Sequence, residues 1–373
     1  MKHTRRHFIQ KLSASALATP VFASSLLANP PTFPTKRSSK KLKVALMGLG
    51  GYARLVAEGI QESSNCEVTG LISGTPEKLV EWGDWLQVPE TRRYNYENFD
   101  AIKGDPEIDA VYIITPNALH HPQALRVAAA QKHVICEKPM AISVKQGQEM
   151  VEACKQAGVK LLVGYRMRFE ANTLAAVEKR DAGAFGDILF FQGMSGFRIG
   201  DPNQWRLQYD LAGGGAMMDT GIYAVNGARY MVGEEPIWVT AQETKTDPEK
   251  FKDGIDETIM FQFGFPSGAV AACLSSYNMN HLSRFFLNGA KGFVELIPAT
   301  SYGPIKGWTD QGDLVLPHVN HQAKQMDEMA LIIHDGQQPV LPVDGQVGLQ
   351  DLVIIEAIYR ACRQGTREEL NLG

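Results

Sequence analysis

The chain has only five cysteines in 373 residues, and Cys66, Cys136, Cys154, Cys273 and Cys362 are odd in number, widely spaced and set mostly among apolar neighbours. Neither a disulfide framework nor a zinc site follows from such spacing, although a single pair could still form in an oxidising compartment. Low-complexity tracts, internal repeats and heptads are also missing, which excludes solenoids and coiled coils. Cationic excess is absent too: 37 Lys and Arg face 41 Asp and Glu, for a formal net charge of -4.

The basic residues that exist are unevenly placed. Thr4-Arg5-Arg6-His7-Phe8-Ile9-Gln10-Lys11 opens the chain and is followed by a mildly apolar run, Leu12 to Leu27, with no acidic residue through position 28. The run is too short and too polar to span a bilayer. Its arginine pair resembles a twin-arginine export signal, an address read by the translocation machinery for already folded proteins. Residues 1–28 are therefore assigned to the signal, with small-residue cleavage candidates ending at Ala23 and Ala28. Loss of Lys2, Arg5, Arg6 and Lys11 would move the net charge from -4 to -8. That balance argues against a nucleic-acid partner and against a membrane partner after export. Residues 29–41 carry Pro30, Pro31 and Pro34 and read as a linker or extended arm.

What remains exceeds a single compact core, so two domains are expected. From Val44 the pattern runs strand, glycine turn, helix: Val44 to Met47 is apolar, Gly48, Gly50, Gly51, Tyr52 and Ala53 form the turn, and Leu55, Val56, Gly59 and Ile60 recur at helical spacing. The turn fits G-x-G-x-x-A. Gly48 permits the tight turn, Gly50 lets backbone approach a pyrophosphate, and Ala53 allows close packing behind the helix N-terminus.

A second strand, Glu67 to Ile72, ends in Ser73-Gly74-Thr75-Pro76-Glu77-Lys78. NAD sites place a carboxylate near this point, where it would repel a 2′-phosphate. None precedes Glu77, while Ser73 and Thr75 can donate hydrogen bonds and Lys78 supplies a cation, so NADP is the expected cofactor. Further strands at 110–114, 133–136 and 160–163 alternate with helices near 121–130 and at 143–156, which implies a parallel sheet with ligands at its carboxyl ends. This dinucleotide-binding domain spans 42–165. From 166 to 373 the texture turns to short strands at 188–192, 237–243, 258–263, 269–275, 285–287 and 293–296, with hairpin turns at 266–268 and 288–292 and a closing helix at 347–363. The fold class is thus α/β, with a C-terminal α+β domain on a mostly antiparallel sheet.

Three segments carry a family resemblance: Thr115-Pro116-Asn117 with His120, then Glu137-Lys138-Pro139, then Gly213-Gly214-Gly215-Ala216-Met217-Met218-Asp219-Thr220-Gly221-Ile222-Tyr223. Together they resemble the Gfo/Idh/MocA oxidoreductases over essentially the whole mature chain. Gln204-Trp205-Arg206-Leu207, the run from Tyr223 to Tyr230, and Gly233-Glu234-Glu235-Pro236 are similar to the family's glucose-fructose-type branch, exported enzymes that hold NADP tightly. Gly51, where that branch has lysine, and the short arm are departures, and the arm's brevity puts an arm-swapped tetramer in doubt. The resemblance implies a Rossmann first domain, a homo-oligomer (dimer or tetramer) and sugar substrates. It makes Lys138, Asp219 and Tyr223 the catalytic candidates. Thr115, Asn117, His120, Glu137, Tyr96, Arg166 and Tyr302 join the turn residues, Ser73, Gly74 and Lys78 as cofactor candidates.

These residue types suit the chemistry. Oxidising a sugar hydroxyl needs a base within hydrogen-bond reach of its oxygen. Tyrosine ordinarily titrates at about 10, but a neighbouring lysine cation favours phenolate. Asp219, one helical turn before Tyr223, is placed to orient both. Trp205 can stack on the nicotinamide side and Arg206 can meet a phosphate, or both can belong to an amphipathic helix. His318 and His321 fit no metal spacing and read as loop residues, so no metal is expected. The sequence thus reads as a periplasmic NADP-dependent sugar oxidoreductase, with an exported NAD-dependent glycoside hydrolase or a non-catalytic sugar-binding protein as rivals.

Overall fold

Short strands buried on both faces must be covered by helices on both sides, and residues 42–163 meet that demand. In the computed structural model, which describes residues 36–314 and 316–372, strands β1 (Leu42–Met47), β2 (Cys66–Ile72), β3 (Arg93–Tyr94), β4 (Ala110–Ile113), β5 (His133–Cys136) and β6 (Leu161–Val163) form a sheet of order β3-β2-β1-β4-β5-β6. Every pairing is parallel. The order reverses between β1 and β4, so a crevice opens above their carboxyl ends. Helices α1 (Gly51–Glu62), α2 (Pro76–Leu86), α3 (Asn117–Ala129) and α4 (Val144–Gln156) link the strands.

Two of these elements differ from the sequence reading. The third helix begins at Asn117, not near His121, and keeps Pro122 inside it. Tertiary anchoring explains the early start, because the Asn117 amide donates to the Ala212 carbonyl at 2.8 Å. Strand β3 has only two residues and offers no period to detect.

The second half opens with α5 (Ala171–Asp181) and builds a nine-stranded sheet from β7 (Ile188–Arg198), β8 (Trp238–Thr244), β9 (Thr258–Gly264), β10 (Val270–Ser276), β11 (Asn278–Gly289), β12 (Gly292–Ile297), β13 (Lys306–Thr309), β14 (Gly312–Leu314) and β15 (Glu368–Glu369). All pairs are antiparallel except β7 with β10. Both expected hairpins are present, joining β9 to β10 and β11 to β12. Strand β11 is far longer than the apolar stretch 285–287, since its first half is polar and half-exposed. Between β7 and β8 lie the short α6 (Tyr209–Ala212), a π-helical turn at Met217–Gly221, and α7 (Ile222–Val232).

The last two helices, α8 (His321–Asp335) and α9 (Gly345–Gln364), return to the first sheet. The Val163 N–H donates to the Val343 carbonyl at 2.7 Å. Asp351, fully buried on α9, accepts from Arg229 Nη1 and Asn226 Nδ2, both at 2.6 Å, and from the Tyr165 hydroxyl. One hydrophobic core runs from β1 through both sheets into α9. His321 is corrected here: it opens a helix rather than lying in a loop. Asn320 caps that helix by accepting from the Gln322 and Ala323 N–H groups at 3.1 and 3.2 Å.

Lys36 and Ser38 tie the end of the linker down on Asn65, and Ser39 does so on Asp335. The expected signal segment and the first part of the linker lie outside the described residues. All five cysteines are free thiols. No helix among the described residues is long and apolar enough to cross a membrane.

Close approach of α1 to α8 depends on Gly59, where an added Cβ would sit 2.6 Å from Gln322 Cβ and 2.8 Å from the Ala323 nitrogen. In an exposed helix, Gly→Ala gains about 1 kcal/mol. Here Gly59→Ala should instead lower stability by about 1–3 kcal/mol in denaturant unfolding, because α8 must move away. A stabilised variant would refute the packing argument.

Candidate active site

Above the switch between β1 and β4 lies a cleft of about 530 Å³. Its first wall is the glycine turn. Gly48 has φ +91°, and a Cβ there would meet the Ile114 carbonyl oxygen at 2.8 Å, so this turn admits only glycine. Gly50 and Gly51 have no atom within 4 Å of an added Cβ. The turn is therefore open on the cleft side, and α1 starts at Gly51 with no side chain capping its first N–H groups. An uncapped N-terminus above an open glycine turn fits a pyrophosphate.

The cleft is lined by Gly48, Gly50, Gly51, Tyr52, Ala53, Ser73, Gly74, Lys78, Tyr96, Thr115, Asn117, His120, Glu137, Lys138, Trp205, Arg206, Asp219, Tyr223 and Tyr302. Leu49, Thr75, Ile114 and Pro116 complete it. At the β2 end the lining residues are Ser73, Gly74, Thr75, Lys78 and Tyr96, with no carboxylate. Both acids of the lining, Glu137 and Asp219, stand at the other end.

That other end joins the two halves of the chain. Lys138 follows β5, and Asp219 sits in the π-helical turn before α7. The ammonium donates to the Asp219 carbonyl oxygen at 2.7 Å and to its Oδ1 at 3.0 Å. Arg206 Nε reaches Oδ2 at 3.1 Å, and the buried Tyr277 hydroxyl donates to the same oxygen at 3.0 Å. Burial works against the Asp219 charge, but the Lys138 and Arg206 cations outweigh it and hold the carboxyl well below the usual range. Lys138 likewise stays charged: burial opposes it, while Tyr223, Asp219 and Glu137 raise it. Its Nζ lies 4.7 Å from the centre of the Tyr223 ring. Lys138 is accordingly a fixed donor beside the phenol, with two of its three N–H bonds spent on Asp219.

The structure gives several of these candidate residues defined contacts. The partners of Asp219 are Lys138, Arg206 and Tyr277, and Lys138 is the residue that lies between it and the Tyr223 ring. Arg206, expected to meet a phosphate, is engaged by Asp219, and its guanidinium lies 4.5 Å from the centre of the Trp205 ring. His120 places its ring nitrogens 2.9 Å from the Pro139 oxygen and 2.8 Å from the Thr115 oxygen, bracing the cleft floor from below. Arg166 does not line the cleft; it is 2% exposed and lies behind Tyr223 and Tyr302. Tyr277 was missed because it lies at the end of a strand in a polar run, and no local pattern links it to Asp219, 58 residues away. Among the described residues, no group of three or more His, Cys, Asp or Glu is placed to hold a metal.

Residues 42–165 match the family model described as an oxidoreductase family with an NAD-binding Rossmann fold, and residues 173–295 match its GFO/IDH/MocA C-terminal domain. The chain is similar to a D-xylose 1-dehydrogenase [NADP(+)] of Haloarcula marismortui, 32% identical over 336 residues that cover 86% of this chain and 91% of that protein. A solved aldose-aldose oxidoreductase from Caulobacter crescentus, complexed with glycerol, superposes with a TM-score of 0.85 at 44% identity, covering 89% of this chain and 100% of that one. Levoglucosan dehydrogenase, solved with NADH and levoglucosan, shares the fold at 23% identity and a TM-score of 0.75, over 88% and 99% of the two chains.

Glu137 gives the site a pH signature. Burial pushes its carboxyl up to about 7, against a hydrogen bond from the Tyr112 hydroxyl at 2.5 Å and the nearby Lys138 charge. An unfolded glutamate titrates at about 4.3, so this raised group's contribution to stability is full below that pH and lost as pH rises through 7. In cofactor-free protein, unfolding free energy should fall across that window by about 3 kcal/mol more than in Glu137→Gln. Parallel pH dependences of the two proteins in denaturant titrations would contradict the assignment.

Proposed function

The chain belongs to the Gfo/Idh/MocA oxidoreductase family and is a sugar oxidoreductase with a nicotinamide dinucleotide site; from that footing we propose that it is a periplasmic, NADP-dependent enzyme that oxidises an aldose at C1 to the lactone and then reduces a second carbonyl sugar in the same site. The observation that carries this reading is the division of the cleft. One end joins Lys138, Asp219 and Tyr223, and the other presents Ser73, Thr75 and Lys78 with no carboxylate.

A bound nicotinamide supplies the acceptor for hydride leaving C1, and the donor in the second half-reaction. Tyr223 takes the proton from the C1 hydroxyl as the carbonyl forms. The free N–H of Lys138 is the donor to that oxygen, and Asp219 fixes the Lys138 ammonium in place. In the second half Tyr223 returns its proton to the carbonyl oxygen of the incoming sugar, so the residue ends each cycle as it began. The arrangement supports a reaction that needs no net proton exchange with solvent.

The arginine pair at the N-terminus supports export, and an exported enzyme is removed from the cytoplasmic cofactor pool. Returning the hydride within one site answers that constraint. The similarity to an aldose-aldose oxidoreductase and to an NADP-dependent D-xylose dehydrogenase supports the same sugar position and cofactor. In this reading the protein reaches the periplasm folded, through the twin-arginine machinery, as a homo-oligomer.

Affinities measured on cofactor-stripped protein should favour NADP over NAD, and equal or tighter NAD binding would remove the argument from Ser73 and Lys78. Tyr223→Phe should lower turnover by about 10²-fold or more with cofactor retained, the scale of a lost general base. Lys138→Ala should be at least as damaging. Purified protein should carry nicotinamide whose near-UV absorbance rises when an aldose alone is added, and steady-state kinetics with two sugars should be ping-pong. A protein that purifies empty and turns over only with added NADP would be an ordinary dehydrogenase.

A further inference from the structure

Some of the buried apolar side chains stand apart from the main core. Ile199, Ala212, Ala216, Phe251, Ile255 and Tyr277 form a second, smaller cluster, with Trp205 and Leu207 packed against it. Its members come from the segment between β7 and α7, from the loop between β8 and β9, and from Tyr277, the residue that separates β10 from β11. Strands β10 and β11 lie on either side of β7, so the chain crosses the end of β7 at this tyrosine. Its backbone is pinned on both sides: the Tyr277 N–H donates to the Glu257 carbonyl at 2.8 Å, and the Ile199 N–H donates to the Tyr277 carbonyl at 2.9 Å. Its ring is 1% exposed and meets the Phe197 ring edge-on, with 5.4 Å between centres.

A buried phenol needs a partner for its hydroxyl. That partner is Asp219, whose Oδ2 accepts from Tyr277 at 3.0 Å. Burial, and then the Asp219 charge, push the hydroxyl well above its ordinary titration range, so it stays a neutral donor. The three donors to the Asp219 carboxylate are not equivalent. Lys138 takes Oδ1 and is itself the group to be placed. Arg206 takes Oδ2 at 3.1 Å, but its side chain is 33% exposed and extends from the short turn Trp205–Leu207 in the cleft wall. A long side chain with many rotamers is a poor reference point. Tyr277 has few rotatable bonds, a buried ring and a backbone held on both sides, and it lies outside the residues that line the cleft. Of the three, it is the donor whose position is set independently of the cleft.

We infer that Tyr277 is a positioning residue for the reaction: its hydroxyl anchors Oδ2 of Asp219, which turns Oδ1 to Lys138 and so sets the direction of the Lys138 N–H left for the sugar oxygen. This rests on the reading in which Asp219 fixes the Lys138 ammonium beside Tyr223. A carboxylate is rigid, so anchoring one oxygen restricts the arc open to the other. Without the hydroxyl, Oδ2 keeps only the Arg206 donor, and the carboxylate follows that side chain. The Asp219 main-chain oxygen still accepts from Lys138 at 2.7 Å, so the ammonium stays nearby and what is lost is its direction.

The test uses the full-length protein with NADP, on whichever free aldopentose or aldohexose the wild type oxidises fastest, and compares Tyr277→Phe, Asp219→Ala and the double variant. Tyr277→Phe keeps the ring and should lower kcat by about 10-fold or more, the effect of a misplaced donor, with NADP affinity nearly unchanged. In the double variant it should add almost nothing to the loss from Asp219→Ala, because its effect passes through that carboxylate. A tyrosine with only a packing role would lower kcat by the same factor in both backgrounds, and that outcome overturns the inference. Wild-type kcat in Tyr277→Phe, or a loss confined to NADP affinity, overturns it as well. Should Tyr277→Phe fail to fold, Phe197→Leu, at a position 37% exposed, loosens the ring and keeps the hydroxyl. It then decides by the same cycle: a loss of kcat that vanishes with Asp219→Ala supports the role, and an unchanged kcat or an equal loss in both backgrounds overturns it. The two readings fail separately. Wild-type kcat in Asp219→Ala removes the role of Asp219 itself, whereas an impaired Asp219→Ala beside a fully active Tyr277→Phe removes only that of Tyr277.

Discussion

The contact on which the rest of the site depends is the bridge from Lys138 to Asp219. It spans 81 residues of sequence and joins the end of β5 to the turn that starts α7. Lys138 uses both the carboxylate and the main-chain oxygen of Asp219, so the ammonium is fixed in direction as well as place. Exposed ion pairs contribute little, because solvent screens them and side-chain entropy opposes them. This pair is largely buried, and Arg206 and Tyr277 occupy the remaining oxygen, so its polar groups are satisfied by defined partners. What the pair provides is geometry: a charged donor at a set position beside the Tyr223 ring.

That geometry would fail if the glycine loop before α7 could shift. The loop is held by Asp256, a buried carboxylate that accepts from the Gly215 and Met217 N–H groups at 2.6 and 2.7 Å and from the Tyr359 hydroxyl at 2.7 Å. A Cβ on Gly215 would lie 2.0 Å from the Asp256 oxygen. Gly215 is thus set by close backbone approach. On the opposite side, Asn117 holds the Ala212 carbonyl and His120 braces Pro139, so the segments around the cleft are fastened to one another. The Asp351 cluster with Arg229, Asn226 and Tyr165 fastens α9 to α7 and to the end of β6.

The distribution of charge follows from the same packing. Lys138 and Arg206, each paired with Asp219, line the cleft at one end and Lys78 lines it at the other, while Arg166, which makes no ion pair among the described residues, lies beside Tyr223 and Tyr302. At the far end, absence of a carboxylate beside Ser73 and Lys78 leaves room for negative charge. An end without carboxylates in its lining and an end rich in buried, hydrogen-bonded polar groups thus share one cleft.

Local pattern made much of this legible. The short apolar run, the glycine spacing and the helical recurrence marked β1, its turn and α1, because those features depend on residues a few positions apart. The location of the cleft was readable as well, since ligands in a parallel sheet collect at strand ends, while Lys138, Asp219, Tyr223 and most of the other lining residues were named by the family resemblance. What stayed hidden depends on distant contacts. The early start of α3 needed Ala212, the length of β11 needed β7 on its flank, and α8, although its Asn320 cap is local, needed the surface of α1 to pack against. Tyr277 gained its place from Asp219, and Arg166 is buried beside Tyr223 and Tyr302, outside the residues that line the cleft. The sequence by itself determined the fold class and the chemical types gathered at the cleft, which arise from short-range periodicity and backbone freedom. Tertiary structure alone decided which charges are paired and which are not, because electrostatic compensation is settled by distances of a few ångströms between residues far apart in the chain.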